Sequence, residues 1–298
     1  MSKGNGHLEI LTFTRAPARV VSLVPSMTES LFDLGFGERV IGVTEFCRPP
    51  EEAKDRLTVI GGTKSPDIDL VVQLAPDLVL ANHEENTPQA VTAFENAGLK
   101  VWVTFPRNVQ DAVQVLWALS RVFRAPEIEP KIKTLEVTVE WAARAASMRT
   151  PLKVFCPIWQ GERTGTGRWW MTFNQETYAH DLLAHCGGWN VFGDRERRYP
   201  LAADLGDAPP EWTEGRDIRY PRVSVGEVAD AQPEIILLPN EPYAFDEGEK
   251  AEIQNLLQAA PAVSNNRVHL VDGSLITWHG TRLARALADL PQLFDPAG

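Results

Sequence analysis

Apolar residues recur at 128, 132, 135, 139, 142 and 146 within PEIEPKIKTLEVTVEWAARAASM (126–148). The steps alternate four and three, which keeps one apolar face along a helix. About 22 residues at roughly 1.5 Å each predict a rod of about 33 Å, the breadth of a small domain. Pro130 suits a first turn but would kink a helix interior, so rigid helix is expected from near Glu129.

On both sides of the rod, short apolar runs alternate with amphipathic segments, the signature of a parallel sheet covered by helices. Before it, strands are expected at RVVSLV (19–24), VIGVT (40–44), TVIGG (58–62), DLVLAN (77–82) and KVWVTF (100–105). Helices are expected at MTESLFDLG (27–35), from PPEEAKDRL, at DIDLVVQLA (67–75), and at NVQDAVQVLWALSRVF (108–123). TPQAVTAFENAG adds another, with Thr87 as N-cap, Pro88 at its first position and Gly98 as its stop. Residues 1–18 read as a short leader or an edge strand.

After Pro151 the alternation restarts. Strands are expected at KVFCPI (153–158), EIILLP (234–239) and VHLVDG (268–273). Helices are expected at ETYAHDLLAHCGG (176–188), VSVGEVADA (223–231), EGEKAEIQNLLQ (247–258) and GTRLARALADLPQLF (280–294). Residues 193–222 are too long for a plain connection and read as a functional loop or surface excursion. The fold class is therefore α/β, with a lobe at 19–124, a helix at 126–148 and a second lobe at 152–295.

The two lobes share a faint repeat. DIDLVVQLAPDLVLANHEE (67–85) and VGEVADAQPEIILLPNEP (225–242) both run short helix, Pro-acid, four apolar residues and a polar tip. An offset of 157 sets Pro76 on Pro233, Asp77 on Glu234 and Glu84 on Glu241. Two similar lobes, with ligand groups at equivalent strand ends, account for it.

Composition narrows the functional classes. The chain has 298 residues, 44% hydrophobic and 23% charged, with a net charge of −11. Such a charge argues against nucleic-acid binding and against docking on anionic lipid. No run approaches the roughly 18–20 apolar residues of a membrane span, so no membrane insertion is expected. The first residues hold no long apolar stretch or small-residue cleavage site, so no signal peptide is expected in this chain. That leaves a cytoplasmic protein or one that begins after a removed leader. Three cysteines (47, 156 and 186) cannot all pair within one molecule and read as buried thiols.

In open α/β sheets, ligands gather beyond the carboxyl ends of the strands. In the first lobe those ends hold Ser26, Glu45, Phe46, Arg48, Lys64, His83, Glu84 and Arg107. In the second they hold Trp159, Arg163, Glu241, Tyr243, Trp278 and His279. Such tips mix aromatic and charged groups, as a cleft for a large polar-apolar ligand requires. The sequence holds nine tryptophans, of which Trp102, Trp117 and Trp141 are expected in the core. Trp159, Trp169, Trp170 and Trp278 are expected in loops, where flat indoles suit a flat ligand such as a macrocycle or catechol chelate.

Cys47, His83, Glu84 and His279 lie on loops at the same strand ends, but no HExxH or CxxC spacing marks a metal site. Arginines at 195, 197, 198, 216, 219 and 222 enrich the long loop, interleaved with acids that offer them internal partners. No GxSxG elbow, P-loop or GxGxxG motif supports an enzyme.

RVVSLVPSMTESLFDLGFGERVIGVTEFCRPPEEA and IGGTKSPDIDLVVQLAPDLVLAN resemble the first lobe of the cluster-III substrate-binding proteins of ABC importers. TYAHDLLAHCGGWNVF, RYPRVSVGEVADAQPEIILLP and WHGTRLARAL resemble the second. This helical-backbone group carries vitamin B12, ferric siderophores or haem. The resemblance implies two Rossmann-like lobes bridged by one long α-helix, and a ligand clamped between them without catalysis. It also implies an acidic permease-docking residue on each lobe. Asp69 matches in the first; in the second, Ser224-Val225-Gly226-Glu227 keeps only the later acid, Glu227.

The expected function is thus a binding protein for a metal chelate, a corrinoid ahead of a ferric siderophore or haem, with no intrinsic cofactor. Phe46 and the loop tryptophans would pack on the ligand, while Arg48, Lys64, Arg107 and Arg163 would meet its carboxylates, amides or phosphate. The expected partners are the cobalt or iron chelate and an ABC permease, with the protein a monomer. Location is extracytoplasmic by resemblance. The alternatives are a cytoplasmic, chelatase-like enzyme acting on a metal cofactor, and a direct metal-ion receptor using Cys47, His83 and His279.

Overall fold

Val20, Val21 and Ser22 are wholly buried and form β1 (Val20–Ser22), the central strand of a five-stranded sheet. A central parallel strand is covered on both faces, which is why its valines are buried and its one polar side chain, Ser22, accepts a hydrogen bond from the Thr28 hydroxyl at 2.8 Å. The computed structural model describes residues 13–163 and 167–295. The reading of residues 1–18 as a leader or edge strand falls for the most part outside them.

From β1 the chain runs through α1 (Pro25–Asp33), β2 (Val40–Val43), α2 (Glu51–Lys54) and β3 (Thr58–Val59). It continues through α3 (Ile68–Leu74), β4 (Leu78–Asn82), α4 (Pro88–Asn96), β5 (Val101–Thr104) and α5 (Val109–Phe123). The strand order is β3-β2-β1-β4-β5, and every neighbouring pair is parallel. Side chains cap three of the helices. Asp67 accepts from the Leu70 N–H at 2.9 Å, Thr87 from Ala90 at 3.3 Å and Asn108 from Asp111 at 2.7 Å.

A 3-10 turn at Pro126–Ile128 leads into α6 (Glu129–Ser147), with Pro130 in its first turn. The chain divides into two compact units part-way along this helix. One unit ends at Val137 and takes back Trp278–Leu283; the other holds Thr138–Thr277 and the chain from Ala284 onward. Trp141, expected in the core, is 75% exposed on α6.

The second unit holds β6 (Leu152–Phe155), β7 (Trp159–Arg163), β8 (Gly167–Met171), α7 (Tyr178–His185) and β9 (Gly188–Asn190). Next come α8 (Leu201–Asp204), β10 (Arg222–Ser224), α9 (Val225–Ala231) and β11 (Ile235–Pro239). They are followed by α10 (Glu247–Leu256), α11 (Pro261–Ser264), β12 (Val268–Val271), α12 (Ser274–Thr277) and α13 (Arg282–Asp289). A four-stranded parallel sheet runs β12-β11-β6-β9, and a three-stranded antiparallel sheet runs β10-β8-β7. The closing segment, expected as one helix over 280–294, is α13 followed by a 3-10 stretch at Leu290–Phe294. Pro291 lacks the amide hydrogen that a continuing α-helix would use.

The antiparallel hairpin β7–β8 is not expected from the sequence, and it moves three tryptophans out of loops, Trp159 among them as the first residue of β7. Trp169 and Trp170 lie in a strand instead of a loop, on opposite faces, as strand periodicity requires. Trp170 is wholly buried, with its ring edge against Phe155 at 5.7 Å between centroids. It belongs to the core that also contains Val223, Ile236 and Leu238, and cannot face a ligand.

The repeat is present to the residue. α3 and α9 have seven residues each and are capped by Asp67 and Ser224. They end on left-handed residues, Ala75 (φ 45°) and Gln232 (φ 51°). β4 and β11 follow at the same interval with five residues each, all buried. The aligned acids also act alike. Asp77 accepts the Arg19 N–H at 3.0 Å, and Glu234 accepts the Lys153 N–H at 2.8 Å. In return, the Asp77 and Glu234 amides each donate to that partner's carbonyl at 2.8 Å.

Candidate functional site

In the first unit the loops beyond β1, β2, β4 and β5 surround a buried polar knot. His279 Nε2 lies 3.3 Å from Asn82 Nδ2 and 3.5 Å from Ser26 Oγ. Asn82 in turn accepts through Oδ1 from the amides of Glu84 (2.8 Å) and Glu85 (3.3 Å). Asn86 accepts from the Asn82 amide at 2.8 Å and donates to the Thr63 carbonyl at 2.9 Å. The loop that presents His83 and Glu84 is thereby fixed from beneath. Burial pushes the His279 imidazole down to about 4, so it is neutral at pH 7.

His279 arrives on the Trp278–Leu283 segment, which is latched to α1. Thr281 donates to Ser30 Oγ from its amide (3.1 Å) and to Asp33 from its hydroxyl (2.7 Å). Arg282 grips Glu29 through both oxygens, at 2.9 and 2.6 Å. Gly280 permits the approach. Its φ is +85°, and a Cβ there would sit 2.2 Å from Ser30 Oγ.

Two expected ligand contacts are therefore enclosed. Ser26 and His279 are 4% and 7% exposed, and Ser26 Oγ and His279 Nε2 face one another within this knot. Trp278 is 7% exposed and lies between the guanidinium groups of Arg48 and Arg282, each 5.3 Å from its ring centroid. It cannot pack flat on a macrocycle, because cations occupy its neighbourhood instead.

The same edge of the first unit carries an exposed rim. Phe46 is 56% exposed beyond β2. The exposed His83 stacks on Phe105 beyond β4 and β5, with centroids 4.5 Å apart and planes at 26°. Arg48, Lys64, Arg107 and Glu45 are exposed along it, Glu84 partly so, and Lys64 donates to the Glu84 carbonyl. Cys47 is buried beside Phe46, with Thr28 and Thr44 hydroxyls 3.1 and 3.2 Å from its sulfur. Burial raises its pKa, which keeps it a thiol. Among the described residues no three His, Cys, Asp or Glu side chains converge as metal ligands. Cys47, His83 and His279 each have separate partners.

In the second unit the carboxyl edge carries an aromatic pair. Trp159 is 44% exposed and meets Tyr243 edge to face, with centroids 5.6 Å apart and planes at 76°. Gln160 Nε2 donates to the Tyr243 hydroxyl at 2.9 Å, and that hydroxyl donates to Glu249 at 3.2 Å. Tyr243 also packs on Phe245 at 4.8 Å. Trp169 lies across Gly161, where a Cβ would come within 2.4 Å of its indole. Arg163 closes β7. Glu241 is half-buried, with Gly273 packed against its backbone.

The two acids expected to dock a permease differ in their surroundings. Asp69 is exposed in the first turn of α3. Glu227 accepts from the Ser224 amide at 2.9 Å, in a capping box, and from Arg195 Nε at 3.2 Å. Its carboxylate is engaged within its own unit.

Residues 20–107 match the family model described as Periplasmic binding protein. Over 285 residues the chain is 25% identical to the vitamin B12-binding protein of Vibrio campbellii (strain ATCC BAA-1116), spanning 95% of this chain and 92% of that one. Among solved structures it is similar to the periplasmic vitamin B12 binding protein of Vibrio cholerae, with a TM-score of 0.72 at 20% identity, over 93% of this chain and 96% of that chain. It is also similar to the periplasmic heme-binding protein of Roseiflexus sp. RS-1 in apo form, with a TM-score of 0.70 at 23% identity, over 93% of this chain and 97% of that chain. By fold and by sequence, the chain is similar to the periplasmic substrate-binding proteins.

The named relatives are vitamin B12-binding proteins and a heme-binding protein. The sequence did not mark Asn86 or Glu249, which help to orient the exposed groups. One signal was available. Ser224-x-x-Glu227 is a capping-box spacing, and it marks Glu227 as a residue with a structural task.

Proposed function

We propose that the chain is a substrate-binding protein that takes up a metal chelate, a corrinoid in the first place, and hands it to an ABC permease outside the cytoplasm. The observation that supports this reading is the aromatic and cationic character of the strand ends in each unit. Phe46 and the His83–Phe105 stack supply apolar area in the first, and the Trp159–Tyr243 pair supplies it in the second. Arg48, Lys64 and Arg107 offer donors to the amides, carboxylates or phosphate at a macrocycle's edge. A corrinoid comes first because the vitamin B12-binding relative aligns over 95% of the chain. For docking, the exposed Asp69 is the better-placed acid, since Glu227 is held by Arg195.

Haem is the second reading, and His83 favours it. The exposed imidazole, stacked on Phe105, is the kind of group that ligates haem iron. The test is a fluorescence titration with cyanocobalamin, haemin and a ferric siderophore. Cyanocobalamin should quench tryptophan emission saturably at micromolar concentration. A haem-binding protein would instead show a Soret band that changes in His83→Ala. If none of the three ligands quenches in the micromolar range, the chelate reading fails.

A further inference from the structure

We infer that the second unit carries a separate binding site for a small amphipathic carboxylate, along α6. A cavity of about 690 Å³ lies there. That volume falls within the roughly 300–1,000 Å³ of small-molecule sites. One stripe of the helix lines it, including Thr138, Trp141, Ala142, Ala145 and Ala146, neighbours on a single face. Leu287, Pro291 and Phe294 form part of the facing wall.

The site is distinct from the strand-end surface of the same unit. Its base is Leu152, Gly187 and Glu234, which stand at the amino-terminal edge of β6, β9 and β11. Trp159 and Tyr243 lie beyond the carboxyl ends of that parallel sheet. The two surfaces are at opposite edges.

The lining selects the ligand class. Alanines at 142, 145 and 146 leave room for an alkyl or aryl chain to approach the helix, with the exposed Trp141 indole beside it. Three ionisable groups other than the Cys186 thiol line the cavity. Glu234 is committed to the fold through the Lys153 amide at 2.8 Å. His185 Nδ1 lies 2.8 Å from the Asp181 carbonyl, to which a neutral ring donates, so its Nε2 remains as the second polar atom. Arg149, exposed just beyond the end of α6, supplies permanent positive charge. An apolar trough with a guanidinium on its wall matches an apolar chain ending in a carboxylate.

Isothermal titration of the intact chain with dodecanoate tests this directly. Dodecylamine serves as the charge control, with no chelate present, so the outcome is independent of the strand-end ligand. Saturable one-site binding of dodecanoate is expected, with none of dodecylamine. Arg149→Gln should weaken it about tenfold, the loss of one charge-assisted contact. Ala145→Phe, at an exposed helix position, should abolish it. Thermal melts of both variants confirm folding. No saturable binding of dodecanoate, equal binding of the amine, or unchanged affinity in either folded variant overturns the inference.

Discussion

Asn82 Nδ2 and His279 Nε2 lie 3.3 Å apart across 197 residues of sequence, and both side chains are buried. The burial of His279 makes the first unit sensitive to acid. The folded imidazole titrates at about 4, below the unfolded value of about 6.5, because burial disfavours its charged form. Protonation therefore favours the unfolded chain. Stability from this residue is full above about pH 6.5 and is lost as pH falls toward 4. A shift of that size corresponds to about 3 kcal/mol. Urea unfolding at pH 7.5 and pH 4.5 should show that loss, and His279→Gln should be less stable at pH 7.5 but flatter across the range. An unchanged slope in the variant would remove His279 as the cause.

Trp159 and Trp170 sit on the same hairpin with opposite exposures, 44% and 0%. Trp170→Ala should cost about 3–5 kcal/mol of stability, the loss for a large buried aromatic. Trp159→Ala should change stability by about 0.5 kcal/mol or less, as at other exposed positions. Ligand affinity should respond in the reverse order, falling about tenfold or more in Trp159→Ala if this indole is an anchor. Chemical denaturation and ligand titration of the two variants measure both halves. Equal stability losses would contradict the assignment of faces.

What was legible in the sequence was local. Unbroken apolar runs such as DLVLA and EIILLP marked β4 and β11, and Thr87-Pro88 marked the start of α4, because burial and capping act on neighbouring residues. The hairpin β7–β8 was not legible, since its partners come from far along the chain. Gln160 meets Tyr243 at a separation of 83 residues, and Arg168 meets Glu252 at 84. Trp278 and His279 read as exposed strand-end groups. Only the latch of Gly280, Thr281 and Arg282 onto α1 shows that they are enclosed.

The repeat makes a paired prediction. Asp77 and Glu234 hold the amides of Arg19 and Lys153 in equivalent places, 157 residues apart in sequence. Asp77→Ala and Glu234→Ala should each cost about 1 kcal/mol, the net worth of such bonds at a partly solvated site. The double variant should show the sum, since neither shares a partner with the other. Denaturation midpoints of the two single variants and the double variant check this. A large loss in only one would mean that the likeness is of shape and not of energetics.

Arg195 and Asp204 carry the long segment at 193–222, which the sequence marked as more than a connection. Asp204 is wholly buried and accepts from Arg195 at 3.0 Å and from the amides of Arg198 and Arg222 at 2.9 and 2.8 Å. Arg195 also reaches Glu227, so one guanidinium ties the segment to the start of α9. Removing Asp204 leaves the Arg198 and Arg222 amides without this acceptor and Arg195 with Glu227 as its remaining carboxylate, a loss of about 3–5 kcal/mol. Asp204→Ala should therefore lower stability by that order and expose 193–222 to proteolysis. Asp204→Asn retains an acceptor for the amides and should lose less. Limited digestion followed by mass spectrometry would locate the first cuts. If cleavage in Asp204→Ala begins outside this segment, the clasp is not what holds it.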